Sequence, residues 1–78
     1  MRIEWIPDPD VSRNYATLAD IFDMHVNGEY VGFVTYSLPV QRWTVTMPLD
    51  DVTDLFFVTK EGAMQCAERI ARERKYRD

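Results

Sequence analysis

The sequence predicts an α+β domain in which a three-stranded, or four-stranded, antiparallel meander carries a C-terminal α-helix packed on one face. Three observations predict it: an Asn-Gly dipeptide lies between two apolar segments, a third alternating segment follows, and an alanine-rich helical stripe lies near the end. With 78 residues, 46% of them apolar, the chain has the length of one small domain. A large active-site cavity would be hard to hold open at this size.

Residues 1–19 are predicted to form an N-terminal arm or a short helix. Residues 2–6 have the pattern of a short strand or extended arm, and the run Pro7-Asp8-Pro9-Asp10 is typical of turns. One or two helical turns could follow over residues 11–19, capped by Asp10. Two arrangements stay open for the outer face of the sheet: it is exposed, or the arm covers it as a second core layer through Trp5, Ile6, Tyr15 or Leu18.

The sheet is expected over residues 20–58, and it begins with a hairpin from Asp20 to Tyr36. Asn27-Gly28 predicts a type I′ turn, since both residues tolerate the positive φ that this turn requires. Closing the turn pairs Val26 with Glu29 and fixes the register of the hairpin. The pairs expected on the core face are Met24 with Val31 and Phe22 with Phe33, and those on the outer face are His25 with Tyr30 and Ile21 with Val34.

A third strand is predicted from Arg42 to Met47, because Trp43, Val45 and Met47 alternate with polar residues. Pro48 ends it, and residues 48–54 have the composition of an acidic loop. Residues 55–58 are apolar and form either a fourth strand or an extended lead-in to the helix.

The helix is predicted from Lys60 to about Lys75, with the Thr59 hydroxyl as its N-cap. Spacings of three and four place its apolar residues on one face. The three alanines make that face flat, so large side chains of the sheet are expected to fill the gap. The stripe consists of Ala63, Cys66, Ala67, Ile70 and Ala71, and the gap-filling residues are Phe22, Phe33, Trp43 and Phe57.

The charges divide the chain into an acidic body and a basic tail. Residues 1–59 carry three cations against nine acids, net −6, and residues 60–78 carry six cations against four acids, net +2. The overall charge of −4 argues against a simple nucleic-acid binder, whose usual footprint is a basic patch. No apolar run reaches the ~20 residues of a membrane span, and the single cysteine favours a cytosolic protein.

The chemistry available for catalysis is sparse. Cys66 is expected to be inert packing on the helix, and His25 is expected to be a surface residue that contacts Tyr30. One cysteine and one histidine fall short of a structural zinc site, and no glycine-rich phosphate loop is present. The sequence therefore predicts a non-enzymatic protein without a cofactor or metal.

The outer face of the predicted sheet has the mixed aromatic and polar composition of recognition surfaces. The acids of the 48–54 loop would steer the domain toward a basic surface of a host or cognate protein, or the face would form a homodimer. The residues expected to bind the partner are Tyr30, Val34, Tyr36, Arg42, Asp50, Asp51 and Asp54.

Residues 32–71 contain three strands, an indole in the third and the run Phe57-Val58-Thr59-Lys60-Glu61-Gly62-Ala63 at the start of the helix. This pattern resembles the β-β-β-α modules of phage tyrosine integrase arm-binding domains and of plant ethylene-response-factor DNA-binding domains. The resemblance implies DNA contacts through cations of the exposed strand face, and Arg42 is the one cation matching that role.

By size and charge the chain also resembles short acidic accessory proteins of phages and mobile elements, some of which inhibit host proteins. A second hypothesis is that the basic C-terminal helix binds nucleic-acid phosphates. The cations that would do so are Arg69, Arg72, Arg74, Lys75 and Arg77.

Overall fold

The computed structural model describes residues 1–10 and 16–73, with the backbone alone at Asp54. It consists of one antiparallel sheet in the strand order β1-β2-β3-β4-β5 and a C-terminal helix on one face. This confirms the predicted α+β class and meander, and the N-terminal arm supplies an additional strand. The elements are β1 (Ile3–Pro7), β2 (Leu18–Val26), β3 (Glu29–Ser37), β4 (Arg42–Met47), a 3₁₀ turn (Pro48–Asp50), β5 (Val52–Phe57) and α1 (Lys60–Glu73).

The first part of the N-terminal arm extends the sheet as an edge strand. β1 pairs antiparallel with β2, and the Trp5 indole Nε1 donates a hydrogen bond of 2.9 Å to a Glu68 carboxylate oxygen on α1. Trp5 therefore lies on the helix side, and its predicted place over the outer face is wrong. Leu18 and Ala19 begin β2, so the helical turns that the sequence allows over residues 11–19 do not include these two residues. Residues 11–15, with Tyr15, lie outside the described residues.

The predicted turn of the β2–β3 hairpin is confirmed. Asn27 and Gly28 have φ values of 52° and 87°, the left-handed conformations that a type I′ turn requires. Val26 lies opposite Glu29 and His25 opposite Tyr30, as the turn predicts. Beyond these pairs the predicted register is wrong.

A β-bulge at Val31 shifts the rest of the hairpin by one residue. Met24 lies opposite Gly32 and not Val31, because Val31 is the extra residue on β3. The shift reverses which residues of β3 face the helix, since side chains alternate along a strand. The pairs that replace the predicted ones are Phe22 with Val34, Asp23 with Phe33, and Ile21 with Thr35.

Gly32 explains why the bulge is accommodated here. A Cβ at this position would overlap the backbone carbonyl oxygen of Thr46 and lie 3.1 Å from the Cα of Met47. The absence of a side chain lets β3 approach β4 closely.

The strand predicted from Arg42 to Met47 is confirmed as β4 with the same bounds. The predicted fourth strand is β5, which is longer than predicted. Trp43 lies opposite Phe57, Val45 opposite Leu55, and Met47 opposite Val52. β5 therefore begins within the segment predicted to be an acidic loop. A bulge between Val52 and Leu55 gives β5 one residue more than β4 over this stretch.

The helix begins as predicted and buries the predicted alanine face. The Thr59 hydroxyl accepts a 3.0 Å hydrogen bond from the Gly62 amide, and α1 continues to Glu73 at the end of the described residues. Trp43 and Phe57 pack against the core and fill the space beside the flat helix face, as expected, whereas Phe33 lies on the other face. The buried core consists of Met24, Val26, Val31, Val34, Val45, Met47, Ala63, Ala67 and Ala71.

Candidate protein-binding surface

The face of the sheet opposite α1, here called the outer face, carries a mixture of aromatic, acidic and hydroxyl side chains. Within residues 1–10 and 16–73, no helix or second strand layer lies over it. The threonines in its middle are buried by their neighbours: the Thr35 hydroxyl donates to the Asp20 carbonyl, and the Thr44 hydroxyl donates to the Thr35 carbonyl at 3.5 Å. The larger side chains stand above this hydroxyl layer.

A hollow of about 290 Å³ opens on the outer face where β1, β2 and β3 lie side by side. Two carboxylates line it, Asp8 from the end of β1 and Asp23 from β2. Tyr30 and Phe33 of β3 form its aromatic wall, and the aliphatic side chains of Leu18 and Ile21 also line it. Acids and aromatic rings therefore share one concave surface.

The backbone holds the Asp8 carboxylate in place. The Asp8 amide donates to the Ile21 carbonyl at 2.9 Å, which ties the end of β1 to β2. One Asp8 carboxylate oxygen accepts a 2.9 Å hydrogen bond from the Asp10 amide, forming an Asx turn. The acid at the rim of the hollow is thus positioned by the fold.

The electrostatics of the hollow favour a positively charged group. Burial raises the pKa of the Asp23 carboxyl above its ordinary value of 3.8, the nearby Asp8 carboxylate raises it as well, and His25 lowers it. A positive group between the two carboxylates would relieve their mutual repulsion. Aromatic faces also attract cations, so Tyr30 and Phe33 add a second attraction to the same position.

His25 has the aromatic neighbour that the sequence predicts, whereas Cys66 is less buried than predicted. The His25 ring contacts the Tyr30 ring edge to face, with centroids 6.0 Å apart. Cys66 is partly buried on α1, facing a groove beside Phe57. The non-enzymatic prediction itself stays a prediction.

Among the residues predicted to bind a partner, Tyr30 alone lies in the hollow. It is 50% exposed, whereas Val34 is 0% exposed in the core under α1. Tyr36 shares the helix side with Val34 and packs its ring edge to face on Trp43, with centroids 5.4 Å apart. The predicted outer-face positions of Val34 and Tyr36 are wrong, because the bulge at Val31 reverses their direction.

The charged residues of that prediction do not form one group. Arg42 is exposed at the start of β4, at the end of the sheet away from Tyr30, and its guanidinium donates to the Gln41 carbonyl at 2.9 Å. Asp50 and Asp51 lie in the turn after β4, which is at the same end of the sheet as the β2–β3 turn. Asp54 is in β5.

The residues of the nucleic-acid hypothesis are only partly described. Arg69 and Arg72 are exposed on α1, and Arg72 forms a 3.5 Å ion pair with Glu68 one turn earlier. Arg74, Lys75 and Arg77 lie outside the described residues. Phosphate binding by this helix stays a prediction.

Phe33 is the residue of the hollow that the predicted register misplaced. It was expected in the core opposite Phe22, and the bulge turns it outward beside Asp23. The signal for this shift is local: a glycine inside a strand pattern indicates a bulge or a close backbone approach, and Gly32 directly precedes Phe33.

In the part of the chain that the structure describes, no three His, Cys, Asp or Glu residues come together to hold a metal ion. No helix in that part is long and apolar enough to cross a membrane. Comparison with protein-family models, curated proteins and solved structures finds no match.

Proposed function

We propose that this protein is a non-enzymatic protein-binding domain that holds a basic side chain of its partner in the hollow on the outer face. The observation that carries the proposal is the pairing of Asp8 and Asp23 with the aromatic wall of Tyr30 and Phe33. An arginine side chain suits this lining, because its guanidinium forms hydrogen bonds to carboxylates at its edge and stacks on rings through its face.

The charge distribution supports a basic partner. Residues 1–59, which include the five described strands, carry a net charge of −6. Such a field speeds association with a positively charged surface and slows it for an acidic one. The acidic turn at Asp50 and Asp51 lies at the same end of the sheet as Tyr30, so it adds to the field around the hollow.

The cellular location and the biological role of the domain are part of the same proposal. A cytosolic location agrees with a single cysteine that forms no disulfide in the structure. The chain's size and charge resemble the accessory proteins of phages and mobile elements, and occupying a basic surface of a host or cognate protein is a role that such a domain can perform without catalysis.

An NMR titration tests the proposal with a defined probe. The isotope-labelled chain is titrated with the blocked peptide glycyl-arginyl-glycine and with its citrulline counterpart, which keeps the shape and lacks the charge. The arginine peptide should shift the amides of Asp8, Asp23, Tyr30 and Phe33, and the citrulline peptide should not. High salt should weaken the effect, since it screens the attraction.

Two variants make the titration specific. Asp23→Asn should abolish the shifts, because it removes one carboxylate of the hollow. Asp20→Asn removes the same charge from the same strand outside the hollow and should leave them in place. Equal shifts with citrulline, or shifts that survive Asp23→Asn, would refute the proposal.

A further inference from the structure

β5 is an edge strand, and the surface along its exposed edge is unusually apolar. β5 pairs only with β4 among the described residues, so one side of its backbone is left for another strand. Large apolar side chains are exposed along and beside it: Phe56 is 54% exposed and Val58 77% exposed, and Leu49 and Leu55 are also exposed. Proteins usually protect such edges with lysine, proline or inward-pointing charge.

Both sides of this edge offer apolar contact. Phe56 lies opposite Thr44 on the outer face, while Leu55 and Phe57 alternate with it toward the helix. The bulge between Val52 and Leu55 confines the regular part of β5 to its C-terminal half, which is where these side chains are. A strand added there would bury apolar surface on both of its faces.

A groove of about 390 Å³ runs between the C-terminal end of β5 and α1. Phe57 forms one wall, and the other is a helical stripe at spacings of three and four: Gly62, Gln65, Cys66 and Arg69. Arg2 and Arg72 have ion pairs, and the described residues show none for Arg69. The groove therefore presents apolar surface together with a cation that lacks an acidic partner in the described part of the chain.

We infer that this edge, here called the β5 edge, pairs antiparallel with the β5 edge of a second copy of the chain. The distribution of charge around β5 favours a second copy of the chain as the partner. Two acids, Asp50 and Asp51, lie directly before β5, whereas the residues beyond its C-terminal end include Lys60, Glu61 and Arg69, net +1.

Antiparallel pairing brings the acidic flank of each copy to the Arg69 groove of the other. The contact is self-complementary and occurs twice about the two-fold axis, as a symmetric dimer requires. The same pairing continues the sheet from one copy into the next through main-chain hydrogen bonds. This inference is independent of the hollow, which lies at the β1–β3 side of the sheet.

Sedimentation equilibrium between micromolar and millimolar concentrations tests the dimer, with two matched pairs of variants. Phe56→Lys should abolish dimer formation, and Ile6→Lys, a change at a 46% exposed apolar residue of the opposite edge strand β1, should leave it unchanged. Arg69→Glu should weaken dimer formation, and Arg72→Glu, the same change on the other flank of the helix, should have little effect. Circular dichroism checks that each variant is folded.

Amide hydrogen exchange locates the contact. The outward-facing amides of residues 55–58 should exchange more slowly at high chain concentration, while those of β1 should not change. A chain that stays monomeric at millimolar concentration, or a dimer that survives both Phe56→Lys and Arg69→Glu, would overturn the inference.

Discussion

The two faces of the sheet are built from the same strands and differ in almost every property. On the helix side, Met24, Val34, Val45 and Met47 are buried against three alanines of α1. On the outer face, the Thr35 hydroxyl donates to the Asp20 carbonyl and the Thr44 hydroxyl donates to the Thr35 carbonyl. Acids share a hollow with aromatic rings on the same face. Among the described residues, the buried cluster lies on the helix side of the sheet, and no helix or further strand lies over the outer face.

The largest loss of unfolding free energy is expected from Trp43→Ala, on the helix side of the sheet. The Trp43 ring contacts Phe22 at 6.2 Å and Tyr36 at 5.4 Å between centroids, and it packs against the core. Its removal should cost ~3–5 kcal/mol of unfolding free energy through lost burial and a residual cavity. Urea denaturation measures the loss, and a near-wild-type midpoint would mean that Trp43 is not part of the core.

Gly32→Ala should have the next largest effect and tests the bulge. A new Cβ would overlap the Thr46 carbonyl oxygen, which is backbone and cannot rotate away. Overpacking of this kind costs about 1–3 kcal/mol. Gly62→Ala is the matched control, since its Cβ would meet only side chains, with the nearest atom at 3.1 Å. Similar thermal melting for the two variants would contradict the close β3–β4 approach.

Trp5→Phe should have a smaller effect. It keeps an aromatic ring beside the core and removes the Nε1 hydrogen bond to Glu68 that fastens β1 to α1. We expect a loss of about 1 kcal/mol, with faster amide exchange in β1 than in β4. The double variant Trp5→Phe/Glu68→Gln should lose little more than Trp5→Phe alone. Fully additive losses would show that the two groups do not interact.

Tyr30→Ala on the outer face should change unfolding free energy by about 0.5 kcal/mol or less, as expected for an exposed residue. The same variant should weaken binding of the arginine peptide, because the hollow loses part of its aromatic wall. A large stability loss would show that the outer face belongs to a second core.

The smallest of these effects is expected from Asp23→Asn, which should change how the stability of the domain depends on pH. Because the folded state raises the pKa of Asp23 above 3.8, the folded state holds this proton more tightly than the unfolded state does. The wild-type chain should therefore lose stability as pH rises from below 3.8 through the raised pKa, and the Asn variant should lack that loss. Thermal melting across this pH range measures the difference, and a difference of the opposite sign would contradict the raised pKa.

Local patterns predicted most of the elements and a small part of the candidate surface. The Asn27-Gly28 turn, the Arg42–Met47 strand, the Thr59 cap and the alanine face all agree with the structure, because each depends on residues close in sequence. The positions of Val34, Tyr36 and Phe33 were predicted wrongly, since one extra residue in a strand reverses every side chain beyond it.

The sequence by itself determined the class of the fold, the division of the charges into acidic residues 1–59 and basic residues 60–78, and the turn that starts the register. Only the tertiary structure decided which face each residue of β3 occupies, since the bulge at Val31 depends on how closely Gly32 approaches the backbone of Thr46 on β4. It also decided that the N-terminal arm becomes β1 and brings Asp8 beside Asp23. Contacts between residues distant in sequence form the hollow, and no local pattern encodes them.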